Sequence, residues 1–267
     1  MADARADAGL APATPALSRR RAWRLVLAYD GTGFRGWQVQ PDAVTVQGAL
    51  IAAARRLFEG EVRVVGASRT DAGVHALGQT VALTAEGEHP AATVQAALNA
   101  HLPREIRVMA AAETPLGFDA RRAARGKRYL YLIDNAPVPS PLLLRWAWHV
   151  PGALDPGAMR AGLAALRGPH DFSAFCAAPG RDADPVCRVR TIHVVRRKAL
   201  LAIVVSADRF LHHMVRNIVG SALEVGRGAQ APAWLAAVLA GRDRTKAGPT
   251  APAHGLVLLR VLYGPDC

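Results

Sequence analysis

Between Gly66 and Gly78 the chain packs Arg69, Thr70, Asp71 and His75 into one short segment, a dense set of polar and ionisable groups between two aliphatic runs. Loops held on a rigid scaffold are where catalytic and binding groups concentrate. Two chemistries fit an aspartate two residues from an arginine. As a surface ion pair it contributes about 0–1 kcal/mol and nothing more. As a carboxylate kept ionised by a cationic neighbour it is a nucleophile able to form a covalent intermediate. Residue types alone leave both open. Arg216 lies far along the chain in an apolar stretch with Phe210, Met214 and Ile218. A charge there is costly unless paired, and Asp71 is the expected partner. The adjacent His212 and His213 suggest a metal, but neighbours on a helix point in different directions, and neither HExxH nor a His–Cys set accompanies them. No metal is therefore expected, and packing or phosphate contact is. His75 is expected to order the loop and is given no chemistry.

A second segment misleads. Gly31, Gly33 and Gly36 spell GTGFRG after a predicted strand and match the dinucleotide-binding pattern GxGxxG. That pattern needs a helix opening at the glycines so that a pyrophosphate sits on its N-terminus. Here Pro41 delays any helix to about Val46, so the glycines are expected to supply positive φ in a tight turn.

These residues must be positioned by regular elements, and the hydrophobic periodicity predicts them. Strands are expected over 23–30, 61–67, 78–85 and 105–112, with helices over 46–58 and 90–102. The second half repeats that order, with strands over 127–134, 188–197, 199–207 and 254–264. Its helices are expected over 155–168, over 208–226 behind an Asp cap, and over 231–241. Two β-α-β-β-α-β units of the ferredoxin-like, split βαβ type follow. The fold class is α+β, with the two halves forming one continuous, mostly antiparallel sheet, helices on one face and a catalytic cleft at the seam. The expected division is a flexible tail over 1–22, an N-terminal half over 23–115 and a C-terminal half over 116–267.

Composition narrows the partners. The 267 residues carry 33 Lys+Arg against 21 Asp+Glu, a net charge of +12, and only Lys127, Lys198 and Lys246 are lysines. The remaining basic residues are arginines, whose planar fork matches phosphate and stacks on bases, so a polyanion is expected. A hydrophobic content of 51% excludes bulk disorder. Cys176, Cys187 and Cys267 form no CxxC, which fits a reducing cytoplasm. No apolar run approaches membrane-spanning length, and the first 22 residues lack the apolar core of a signal peptide.

The segment ASRTDAGVHALGQ (67–79) resembles the catalytic motif of the tRNA pseudouridine synthase A family. YDGTGFRGWQVQ (29–40), FDARRAARGKRYLYLI (118–133), DFSAF (171–175), FLHHMVRNIVGSALEVGRG (210–228) and TAPAHGLVLLRVLY (250–263) are similar to further family segments, in the family's order. The resemblance implies isomerisation of uridine to pseudouridine at positions 38 to 40 of the tRNA anticodon stem-loop, with no cofactor or metal. It makes Asp71 the nucleophile, attacking either C1′ of the ribose or the uracil ring. Arg69 would help extrude the target nucleotide or hold its phosphate. Tyr129 would stack on the flipped uracil and assist removal of the C5 proton. A homodimer is also implied. One departure is Ser68, where the family usually has Gly. The rival reading is a non-catalytic RNA-binding platform, which calls for exposed aromatics on neighbouring strands, yet only 6% of the residues are aromatic.

Overall fold

The structure is a computed structural model that describes residues 20–177 and 184–264. The first half runs β1 (Arg20–Tyr29), α1 (Val46–Ala54), β2 (Arg63–Gly66), β3 (His75–Glu86), α2 (Ala91–His101) and β4 (Ile106–Thr114). The second runs β5 (Gly126–Asp134), β6 (Trp148–His149), α3 (Pro156–Ala164), β7 (Gly168–Asp171), β8 (Val186–Arg197), β9 (Leu200–Ala207), α4 (Met214–Gly226), α5 (Trp234–Gly241) and β10 (Leu256–Leu262). All of these strands join one sheet in the order β4-β1-β3-β10-β5-β9-β8-β7, with β2 beside β3 and β6 beside β5. The pairs are antiparallel except β3–β10 and β5–β6. The fold is thus α+β around a single, mostly antiparallel sheet.

The seam lies along one edge of β3. Its 81–84 stretch pairs with β2, while His75 and Ala76 at its start pair with Val257 and Leu258 of β10. Leu258 in turn pairs with Tyr129 of β5. The register therefore sets Tyr129 two strand spacings, about 10 Å, from the point where the 67–74 loop enters β3.

Side chains on a strand alternate between faces, and one face of this sheet feeds a common core. Leu25 and Leu27 of β1, Tyr131 and Ile133 of β5, and Ile203 and Val205 of β9 share it with Leu50, Leu98, Leu163, Ile218 and Leu235 from the five helices. The helix starts follow their caps. The Thr45 hydroxyl accepts from Gly48 N–H ahead of α1, and the Asp155 carboxylate accepts from Gly157 and Ala158 ahead of α3, which has Pro156 at its start.

The structure corrects several boundaries. The expected tail, 1–22, lies outside the described residues except for Arg20–Ala22, which extend β1, with Arg20 ion-paired to Glu61 at 2.6 Å. Cys267 also lies outside them. Helix α4 starts at Met214, not 208. Asp208 is no cap: its carboxylate accepts from the backbone N–H of Arg188 and Arg209, tying it to β8. Residues 208–213 instead carry the chain from the sheet to the helix layer, ending at His213 with φ 60°. The two-residue β6 and the four-residue β7 carry too little pattern to read.

Candidate active site

Asp71 sits in the loop between β2 and β3, which Trp37 and Phe34 hold from the backbone. Trp37 N–H donates to Thr70 O at 3.0 Å and Gly73 N–H to Phe34 O at 3.3 Å, so the 31–37 turn braces the loop from one side. The fit is close enough to require glycine. A Cβ on Gly36, at φ +90°, would lie 2.7 Å from Thr70 O, and one on Gly31 would lie 2.1 Å from Val74 O. Of the three glycines expected to adopt positive φ, Gly36 alone does so, and helix α1 opens well downstream at Val46. The Tyr29 hydroxyl adds a 2.7 Å hydrogen bond to the Thr70 hydroxyl.

The other side of the loop is held by side chains. Gln79, fully buried on β3, donates to Ser68 O at 2.5 Å and accepts from Ser68 N–H at 3.2 Å. Buried His75 accepts from Gly31 N–H at Nδ1, 3.0 Å, which leaves Nε2, 3.1 Å from His254 O, to donate. Burial holds His75 below the usual histidine range, against the pull of Asp30, and its ring packs on Trp146 with centroids 4.6 Å apart. The ordering role expected of His75 has this geometry behind it.

Opposite the loop stands the N-terminus of α4. Arg216 Nη1 donates to Asp71 Oδ2 at 3.1 Å, the pair expected from the sequence, while Arg216 Nε donates to Ala251 O at 2.7 Å. His213 Nε2 lies 3.3 Å from the same Asp71 oxygen. Burial, and then the nearby Arg216 and His212 charges, lower the His213 pKa more than Asp71 raises it. No hydrogen bond or ion pair engages Asp71 Oδ1 among the described residues. The carboxylate is thus gripped by one oxygen and presents the other.

Tyr129 is almost fully buried behind this pair, with its hydroxyl 2.8 Å from Ser68 Oγ and its ring edge-on to Phe210 at 5.0 Å. Burial pushes the phenol up to about 12, and the Asp71 charge adds to the rise. At neutral pH it is a protonated phenol. Arg69 is exposed and makes no hydrogen bond or ion pair among the described residues. Asp71, Arg216 and Tyr129 therefore converge, and Arg69 stands free at the rim.

The expectation that His212 and His213 point apart is overturned. Their rings stack at 3.9 Å because His213 takes the left-handed conformation before the helix begins. With Asp71 they bring three ligand atoms within 4.8 Å of one another. A divalent ion there would also face Arg216 across the shared oxygen, and at about 4 Å and an effective dielectric near 20 that repulsion is about 8 kcal/mol. The carboxylate oxygen that such an ion would take is already engaged by Arg216 Nη1 at 3.1 Å and lies 3.3 Å from His213 Nε2.

Sequence reasoning missed the residues that hold this arrangement: Gln79, Phe210 in its role against Tyr129, and the 244–254 segment. The polar Gln79 inside an aliphatic strand was the one available signal.

Comparison with known proteins gives the family. The family model described as tRNA pseudouridine synthase matches residues 25–121 and 163–264. The tRNA pseudouridine synthase A of Chloroflexus aurantiacus is 46% identical over 248 residues, covering 90% of this chain and 88% of that protein. Those of Moorella thermoacetica and Paramagnetospirillum magneticum are 44% and 45% identical over 242 residues, covering 90% of this chain and 98% and 94% of theirs. With the family model spanning most of the chain and identity this high over nearly its whole length, the chain belongs to the tRNA pseudouridine synthase family, isomerases that convert uridine in tRNA.

Proposed function

We propose that the chain isomerises uridines 38, 39 and 40 of the tRNA anticodon stem-loop by covalent catalysis through Asp71. The observation that carries the nucleophile is the one-sided grip on Asp71: Arg216 engages Oδ2 and Oδ1 is left to attack. The adduct forms at C1′ of the ribose or on the uracil ring. In either case the N1–C1′ bond breaks, a C5–C1′ bond forms, the bond to Asp71 breaks to free the carboxylate, a proton leaves C5 and one reaches N1. Electrons balance within the substrate, so the reaction calls for no redox cofactor. Arg216, donating to Oδ2, orients the carboxylate. Tyr129 stacks on the uracil, and its hydroxyl assists removal of the C5 proton. Arg69, exposed and unpartnered among the described residues, fits a role in extruding the nucleotide or holding its phosphate.

The wider reading is two ferredoxin-like halves, 23–115 and 116–267, meeting at this cleft. Its support is that each half has its fourth strand beside its first, followed by its third and second: β4-β1-β3-β2 and β10-β5-β9-β8. A homodimer acting in the cytoplasm completes it. Val138, Leu142 and Leu144 stand 74%, 84% and 57% exposed on one segment beside the site, the apolar surface that a second copy would cover. No helix among the described residues is long and apolar enough to cross a membrane.

The test is Asp71→Ala assayed for pseudouridine at each position by mass spectrometry of tRNA. Turnover is expected to vanish while tRNA affinity stays within about threefold, because phosphate contacts dominate binding. Retained turnover would remove Asp71 as nucleophile. Loss of pseudouridine at other positions only would relocate the target.

A further inference from the structure

Tyr129 is held by two side chains, Ser68 at its hydroxyl and Phe210 against its ring. We propose that Ser68 is a positioning residue for Tyr129, its hydroxyl fixing the direction in which the phenol faces the substrate. The inference rests on the reading above that Tyr129 meets the flipped uracil.

A phenol O–H prefers the plane of its ring and has two in-plane directions. Ser68 Oγ lies 2.8 Å away and hydrogen-bonds the phenol oxygen, with either hydroxyl as donor. The contact is shielded, with Ser68 8% and Tyr129 6% exposed, so water competes poorly for either hydroxyl. Ser68 is itself immobilised. Gln79 grips both its N–H and its carbonyl, so the hydroxyl has a fixed base from which to act. Phe210, edge-on at 5.0 Å, fixes the ring. With the ring and Ser68 both fixed, the side of the Tyr129 oxygen that meets Ser68 is taken, and only the remainder of that oxygen is left for the cleft. The hydrogen bond therefore sets which side of the phenol oxygen, kept protonated at neutral pH by burial, the substrate meets.

The experiment is a double-mutant cycle of Ser68→Ala and Tyr129→Phe. Its readout is single-turnover release of tritium from tRNA carrying 5-tritiated uridine, which reports loss of the C5 proton. Ser68→Ala is expected to slow release about three- to tenfold, the change that loss of one hydrogen bond brings, with KM for tRNA unchanged. In the Tyr129→Phe background the same substitution is expected to have no further effect, since the partner hydroxyl is gone. An equal slowing in both backgrounds would assign Ser68 to loop structure and overturn the proposal, as would a wild-type rate for Ser68→Ala alone. A wild-type rate for Tyr129→Phe would overturn the reading of Tyr129 itself. Should Tyr129→Phe be too slow to time, the Tyr129 ¹³Cζ resonance decides, one of four tyrosines in the chain. It is expected to move in Ser68→Ala as the hydrogen bond is lost, and an unmoved resonance counts against the proposal.

Discussion

Asp71 and Arg216 are 145 positions apart, and each solves the other's problem. A guanidinium only 14% exposed needs a counter-charge, and a nucleophilic carboxylate must stay ionised and aimed. Arg216→Met is therefore expected to do two things. It leaves Asp71 without its main cationic partner, and kcat falls at least about tenfold, the cost of roughly 1.4 kcal/mol in the transition state. Binding of tRNA, measured by filter retention, changes little by comparison, because one arginine is a small part of the phosphate contacts. Arg216→Lys restores charge but not the fork. The guanidinium spans Asp71 and Ala251 O at once, and an ammonium serves both poorly, so a partial kcat is expected. A KM effect larger than the kcat effect would place Arg216 in binding instead.

At the scale of elements, the loop is braced by the 31–37 turn and Arg216 by a strap of chain, residues 244–254. Arg244 ties the strap to α4, donating to Asn217 Oδ1 at 3.0 Å, the Thr250 hydroxyl at 2.9 Å and Gly248 O at 3.0 Å. The strap then hands carbonyls to three catalytic-side partners: Ala251 O to Arg216, Pro252 O to the Tyr131 hydroxyl and His254 O to His75. It lies so close to α4 that a Cβ on Gly220 would sit 1.7 Å from Pro249 O. Gly220→Ala must push the strap away, and kcat is expected to fall with the Arg216 contact while circular dichroism keeps its shape. Arg244→Ala removes several hydrogen bonds from a largely buried network, each worth about 1–3 kcal/mol when a partner is stranded. A lowered melting temperature is expected, by about 2–4 °C for each kcal/mol in a chain of this size, followed calorimetrically. An unchanged melting temperature would mean that Thr250 and Ser221 hold the strap without it.

For the whole molecule, the ionisable groups set an acid limit on stability. Burial holds His75 and His213 below their ordinary value of 6.5. Below pH 6.5 the unfolded chain takes up protons that these folded histidines refuse, so stability falls as pH drops from there. Burial alone would raise Asp30 and Asp171, but hydrogen bonds from Thr32 and Ser173 outweigh it and lower both. Their contribution is present above 3.8 and is lost as pH falls through the depressed folded values. The melting temperature is expected to hold near neutrality, to decline below about pH 6.5 and to drop further below about pH 4. The +12 charge makes a separate prediction. If about six arginines neutralise phosphates, tRNA affinity falls on the order of a thousandfold between 50 and 200 mM salt. A flat profile would detach the charge from RNA binding.

Sequence alone determined the order and type of the long elements, because their hydrophobic periods of 2 and 3.6 are properties of the local chain. It also determined the chemistry-bearing loop, since a cluster such as Arg69-Thr70-Asp71 is dense in consecutive residues, and the cost of an unpaired arginine demanded a counter-charge for Arg216, which the family resemblance of the Asp71 loop then pointed to. What only the tertiary structure decided was everything set by contact between distant segments. The left-handed turn at His213 shortens α4 and stacks the two histidines, where helical periodicity separates them. The parallel β3–β10 seam fixes how far Tyr129 stands from the loop. Gln79 on Ser68, Ser68 on Tyr129 and the strap on Gly220 are close approaches across the fold. No pattern along the chain encodes them, because each depends on the shape of two surfaces that meet only after folding.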